Sequence, residues 1–274
     1  MQDKNLTILL VAYKPRVDLL KTLILQFNSS YPIIIANNSQ KKLDNFFYTL
    51  KNVSIIDVEK NMGNGAGINI CLDECKTDLA LYIDIDAKLD DENFSKLLDY
   101  SKKIEKFSVL VPNGQNLKMK NEITKKWDME GTIMLINKKL LNNRVRFDES
   151  YFLYYEEMDF FFNCIKNNIN VYFLSKVTHA HERASSIEIK SANESEQLYL
   201  LRQWHLMWSN YFFFKKNFNN FIAIKKNLPT LVKDIAKLIF YFIKFDLKSF
   251  NVRYSRISGL ISAFLNLKSS KRLK

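Results

Sequence analysis

The sequence predicts an α/β fold, a mostly parallel sheet flanked by helices, with an amphipathic helical extension at its C-terminal end. Short unbroken apolar runs alternate with helix-spaced segments from Leu6 to Ile83, the pattern of strands buried on both faces. The polar residues that can carry chemistry fall just after those runs, where sheets of this kind bind ligands. The positive charge, finally, is gathered at one end of the chain.

Taken in order, Leu6 to Tyr13 is too short for a helix and suits a buried strand, and Pro15 ends it. Val17 to Phe27 has helical spacing at Leu19, Leu20, Leu23 and Leu25. Tyr31 to Ala36 is a second strand, with an Asn37-Asn38-Ser39 turn and a helix over Lys41 to Leu50 after it. Val53 to Val58 is a third strand; a glycine-bearing turn then opens a helix over Ala66 to Cys75. Leu79 to Ile83 is a fourth and runs directly into Asp84. Asp90-Asp91-Glu92 starts the next helix, where carboxylates suit the positive end. Beyond Val109 the pattern is mixed: a strand at Thr132 to Ile136, a helix at Glu156 to Asn167, a strand at Val171 to His181 and an aromatic helix at Ser191 to Phe218.

Residues 214 to 274 hold 14 Lys and Arg against Asp234 and Asp246, so this segment alone accounts for the chain's net +12. That asymmetry divides the chain into a neutral domain, 1–213, and a basic helical region, 214–274. The N-terminus lacks the zones of a secretory signal, and no apolar stretch is long enough to span a bilayer. Three cysteines, Cys71, Cys75 and Cys164, without zinc-site spacing predict buried, reduced thiols in a cytoplasmic protein.

Asp84-Ile85-Asp86 stands at a strand end with its carboxylates two apart. Hard oxygen ligands there can hold Mg²⁺ or Mn²⁺ against a diphosphate, or hydrogen-bond a ribose. His179 and His181 are two of only three histidines and can complete such a site; the plain alternative is one structural and one surface histidine. Tyr154-Tyr155-Glu156-Glu157-Met158-Asp159 puts three carboxylates at a helix start among aromatics, the setting of a general base or simply of a dipole-favoured helix start. Asn61 to Asn69 carries glycines two apart, unlike a dinucleotide fingerprint, in a turn that lets backbone approach an anion.

In their order and spacing these pieces resemble the inverting family-2 glycosyltransferases of the GT-A fold, especially the bacterial rhamnosyltransferase-like branch. The series runs through Asn61, Gly63 and Asn69, Asp84-Ile85-Asp86, Gly131 before Thr132, Phe147-Asp148-Glu149, Tyr155 to Asp159, His179 with Arg183-Ala-Ser185, and Arg202 to Leu206. The resemblance implies a divalent cation held by Asp86 and His179, with Asp84 at the donor's ribose or diphosphate. It also implies Glu157 as general base, with Glu156 as its rival. Asn37 and Asn38 stand where the family holds the nucleotide base with an Asp. Glu157 replaces a usual Asp, and Asn163 a usual Arg. The implied donor is dTDP-rhamnose or a UDP-hexose, and the implied acceptor a lipid-linked oligosaccharide of O-antigen or capsule synthesis.

In the tail, Leu231, Ile235, Leu238, Phe242 and Phe245 recur at helical spacing beside Lys233, Lys237, Lys244 and Lys248. Ile257, Leu260, Ile261, Phe264 and Leu265 make a second apolar face. Such helices lie on an anionic membrane, which predicts a peripheral protein at the inner face of the plasma membrane; packing on the catalytic domain or within a homo-oligomer is the alternative. A nucleotidyltransferase would need a basic, glycine-rich N-terminal loop, and Ala12-Tyr13-Lys14-Pro15 is a poor one. The amphipathic grouping of the tail favours lipid over a non-catalytic, nucleic-acid-binding role.

Overall fold

A computed structural model describes residues 5–114, 117–141, 144–182 and 185–273. In chain order its elements are β1 (Leu6–Ala12), α1 (Val17–Phe27), β2 (Ile33–Asn37), α2 (Asn45–Tyr48), β3 (Val53–Asp57), α3 (Asn64–Glu74), β4 (Leu79–Ile83) and β5 (Ala87–Lys88). There follow α4 (Asp91–Lys103), β6 (Val109–Asn113), β7 (Ile123–Lys125), β8 (Ile133–Asn137), α5 (Lys138–Leu141), α6 (Glu156–Lys166), β9 (Val171–Thr178) and β10 (Ala180–His181). Three long helices close the chain: α7 (Ala192–Asn217), α8 (Asn220–Ile243) and α9 (Leu247–Phe264).

Two compact units result, Met1–Phe147 with Phe160–Glu188, and Asp148–Asp159 with Ile189–Lys274. The change in charge at residue 214 therefore falls inside the second unit, within its first long helix, α7.

The first unit is built on an eight-stranded sheet in the order β3-β2-β1-β4-β8-β6-β9-β7. β3, β2, β1 and β4 run parallel, and β8 enters antiparallel between β4 and β6. Alternation along β1 sends Leu6, Ile8 and Leu10 to a core with Leu20, Ile24 and Phe27 of α1, and Leu9 to the opposite core with Ile68 of α3. Both faces are thus dry, which is why these strands read as unbroken apolar runs. Cys71, Cys75 and Cys164 are buried free thiols, and burial pushes Cys71 and Cys164 up to about 12.

Two elements differ from the sequence expectation. The helix expected over Lys41 to Leu50 is only the single turn α2, because Asn37 Nδ2 holds the Lys41 carbonyl at 3.0 Å and the cap, Asp44, stands late. The strand expected over Val171 to His181 breaks at His179: β9 pairs with β6 and β7, whereas β10 pairs with β5.

The second unit packs α7 against α8 and α9. α7 buries Trp204, Trp208, Tyr211 and Phe213. A Cβ on Gly259 of α9 would lie 2.2 Å from the Trp204 carbonyl oxygen, so only glycine permits this approach of the two helices. Among the described residues, no helix is long and apolar enough to cross a membrane.

Candidate functional site

At the carboxyl end of β4 the chain turns sharply, the Asp84 amide donating to the Thr132 carbonyl at 2.9 Å and the Ala87 amide to Asp84 at 2.9 Å. The next residues form β5, whose pairing sets His181 opposite Ala87. His181 is thereby delivered to the aspartates from a point far along the chain. Its Nε2 lies 3.3 Å from Asp86 Oδ1, and Asp86 Oδ2 accepts from the Ser185 and Ser186 amides at 3.1 and 3.2 Å. The Tyr82 hydroxyl donates to Asp84 Oδ1 and lies 3.0 Å from Asn64 Oδ1. One ligand atom each from Asp84, Asp86 and His181 fall within 4.8 Å of one another. Two carboxylate oxygens and one imidazole nitrogen suit a borderline divalent cation such as Mn²⁺.

The electrostatics agree with this grouping. Burial alone would raise the Asp86 pKa, but the hydrogen bond and charge of His181, with the Ser185 amide, hold it below the ordinary value. The hydrogen bond to Asp86 raises His181 against its own burial, with help from the charges of Asp86 and Asp84.

His179, the histidine the family resemblance assigns to the metal, has different surroundings. It is only 8% exposed, and neither ring nitrogen has a hydrogen-bond partner among the described residues. Its ring sits against Gly114, where a Cβ would be 2.3 Å from Nε2. Burial first, then the neighbouring His181, pushes its pKa down to about 4. Two histidines two residues apart share a face only while one strand continues; here β9 ends at Thr178, His179 lies in the break and His181 belongs to β10. His179 and Asp86 both line a cleft of about 520 Å³ whose other walls include Leu19, Leu23, Ile85 and Leu89.

The predicted donor-contact residues brace the backbone around the turn. Asn37 is fully buried, donating to Lys41 O and to Asp57 Oδ1 at 2.7 Å and accepting from the Ser39 amide at 3.0 Å. Asn38 Nδ2 reaches the Gly63 carbonyl at 3.0 Å, and its buried Oδ1 has no partner among the described residues. Asn61 Oδ1 accepts from the Gly63 amide at 3.0 Å, and Gly63 takes φ of 95°, a left-handed conformation suited to glycine. Asn69 clasps the Phe147 backbone, donating to its carbonyl at 2.9 Å. Gly131 is buried immediately before Thr132 and β8. Arg183 lies outside the described residues.

Glu156, Glu157 and Asp159 open α6. Tyr154 and Tyr155, just before it, have φ of 66° and 69°. Two successive left-handed tyrosines cost about 1–3 kcal/mol each, a strain that often accompanies functional sites. Glu156 is buried and Glu157 half-buried. Asp159 is 1% exposed and accepts from Lys216 Nζ and Asn217 Nδ2, both at 2.7 Å, and from the Tyr151 hydroxyl at 3.2 Å. Lys216 also holds Asp148 at 2.7 Å. This engagement makes Asp159 an anchor of the second unit.

Sequence reasoning weighed His181 but did not assign it, and it missed Tyr82, Asp57 and Lys216. A histidine flanking a strand break was the only available signal for the first; the others carried none.

Residues 17–164 match Glycosyl transferase family 2, more than half of the chain, and the chain belongs to that family. No curated protein sequence gives a significant match. Solved structures are similar in fold at low identity. TarS residues 1–349 from S. aureus is 14% identical with a TM-score of 0.51, over 96% of this chain and 90% of that one. The mannosyltransferase PcManGT from Pyrobaculum calidifontis, in complex with GDP-Man and Mn²⁺, is 10% identical with a TM-score of 0.58, over 96% and 87%. GalNAc-T7 with UDP, GalNAc and Mn²⁺ is 10% identical with a TM-score of 0.52, over 73% and 51%. The architecture is that of GT-A glycosyltransferases.

Proposed function

We propose that this family-2 chain is an inverting, divalent-cation-dependent hexosyltransferase, taking a sugar from a UDP- or dTDP-linked donor to a lipid-linked saccharide of a bacterial surface polysaccharide. The observation that carries the reading is the grouping of Asp84, Asp86 and His181 at the carboxyl end of β4. Those three would hold Mn²⁺ or Mg²⁺, and the bound cation would offset the charge gathering on the departing diphosphate. PcManGT with GDP-Man and Mn²⁺ supports a nucleotide-sugar donor used with a divalent cation, and GalNAc-T7 with UDP and Mn²⁺ and TarS with UDP-GlcNAc support the UDP class in particular.

Glu157 takes the proton of the attacking acceptor hydroxyl as its oxygen bonds to the anomeric carbon. The bond from that carbon to the diphosphate oxygen breaks on the opposite face, so configuration inverts without a covalent sugar–enzyme intermediate. Glu156, more deeply buried, is the alternative base. Asn37, Asn38, Asn61, Gly63 and Asn69 shape the donor's seat through the backbone they hold, and Gly131 belongs to its margin. Asp159 positions the start of α6. The basic C-terminal region, 214–274, would bring the catalytic domain to a membrane-borne acceptor at the cytoplasmic face.

The test is a panel of UDP- and dTDP-sugars with Mn²⁺ or Mg²⁺, read first as a thermal shift and then as nucleotide release with a lipid-linked acceptor. A donor-specific shift that requires the cation, and its loss in Asp86→Ala, is expected. Nucleotide release left unchanged by both Asp86→Ala and Glu157→Ala would refute the assigned roles.

A further inference from the structure

Helix α8 is amphipathic with its faces exchanged. The residues it buries are Ala223, Asn227 and Asp234. Asp234, 2% exposed, is held by Arg253 Nη1 at 2.9 Å and Arg256 Nε at 2.7 Å, and Arg256 also reaches Gln203 at 3.0 Å. The helix is therefore fixed to its own bundle by ion pairs, whereas Phe221, Leu228, Val232, Ile235, Ile239 and Phe242 are exposed. Their spacings of seven, four, three, four and three residues keep them on one face. Over 24 residues that stripe runs about 36 Å. It continues into the turn to α9, where Ile243, Phe245 and Leu247 are 68%, 88% and 72% exposed. Phe245 takes φ of 53° in that turn.

An exposed apolar stripe of this length calls for an occupant, and charge identifies it. Lys226, Lys233, Lys237 and Lys244 follow one another at spacings of seven, four and seven on the side of the helix away from the stripe. α8 contains a single acidic residue, Asp234, which faces inward. A helix with apolar side chains on one face and ammonium groups on the other matches a bilayer surface, its apolar face at the acyl boundary and its lysines drawn to anionic headgroups.

We infer that α8 and the α8–α9 turn are the docking element of this chain for an anionic lipid surface, lying along the bilayer with Phe242, Ile243 and Phe245 as its deepest part. This deepens the proposal of a lipid-linked acceptor and rests on it only for the purpose that docking serves.

The experiment uses the full chain and flotation with vesicles of phosphatidylcholine alone or mixed with phosphatidylglycerol, at low and high salt. We expect partition onto the mixed vesicles and at least about a tenfold loss on neutral vesicles or at high salt. The triple variant Val232→Ser, Ile239→Ser, Phe242→Ser should lose about a hundredfold. Lys226→Gln, Lys233→Gln, Lys237→Gln and Lys244→Gln together should lose about as much. All these side chains are on the outside, so circular dichroism should be unchanged.

Equal flotation of the triple variant and the parent would overturn the inference. So would a parent that binds no vesicle but forms a dimer that Ile239→Glu dissociates, which would give the stripe to a second copy. The thermal shift with nucleotide-sugar and Mn²⁺ is read in parallel and should be the same in every α8 variant. Flotation without a donor shift in the parent would sustain the docking inference while refuting the proposed catalysis.

Discussion

Asp86 and Asp159 are nearly equally buried, 5% and 1% exposed, yet their carboxylates are satisfied in different currencies. Asp86 meets an imidazole and two backbone amides, partners that leave room for a cation to enter alongside. Asp159 meets a lysine ammonium, an amide side chain and a tyrosine hydroxyl. The first arrangement suits ligation; the second is an internal salt bridge. Burial and acidity alone do not distinguish a metal site from a structural anchor, whereas the identity of the partners does.

The largest effect should come from Asp86→Ala, which should reduce cation-dependent sugar transfer by about a thousandfold. Its unfolding free energy should change much less, and a parallel collapse of stability would erase the contrast with Asp159. Next is Lys216→Met, which leaves Asp148 and Asp159 without their ammonium partner. Urea denaturation should register a loss of about 3–5 kcal/mol; a loss below about 1 kcal/mol would remove the anchor role.

The two histidines sharpen the same contrast. His181→Ala should weaken Mn²⁺ binding at least about tenfold by calorimetry. His179→Leu should leave that affinity in place and raise stability by about 1 kcal/mol, since it removes buried nitrogens that lack partners. The reverse ranking in Mn²⁺ affinity would return the ligand role to His179.

The smallest effect is in the pH profile of stability. Burial works to raise the Asp148 pKa, but Lys216 and the Ser150 amide outweigh it and hold the carboxyl low. Its contribution is complete above the unfolded value of about 3.9 and is lost as pH falls through the lower folded value. Lys216 shows the opposite sign. Burial opposes its charge, yet the hydrogen bonds of Asp148 and Asp159 raise its pKa, so its contribution holds below about 10.4 and disappears as pH rises further. Chemical denaturation across pH should show both losses in the parent and neither in Lys216→Met.

Much of the first unit was legible. Leu6 to Ala12 and Leu79 to Ile83 announce themselves because a strand buried on both faces is almost wholly apolar, the hydroxyl of Thr7 being satisfied by Thr77. Asp84 and Asp86 were legible for the related reason that charge immediately after such a run must lie at the sheet's edge. Strands such as β5 and β10, two residues each, are too short to leave a period. In the tail, the apolar recurrence was visible but its direction was not. Ile235 and Phe242 face out because Asp234 faces in, and Asp234 faces in because Arg253 and Arg256 meet it there.

By itself, then, the sequence determined the alternation of strands and helices, the position of the aspartate pair and the amphipathic, basic character of the tail. These follow from local periodicity and composition, which act within a few residues. Tertiary structure alone decided that His181 joins the aspartates while His179 packs on Gly114, that Lys216 claims Asp159, and that α8 turns its apolar face outward. Each of those outcomes depends on a partner brought from far along the chain, and such pairing is selected only when the whole fold closes.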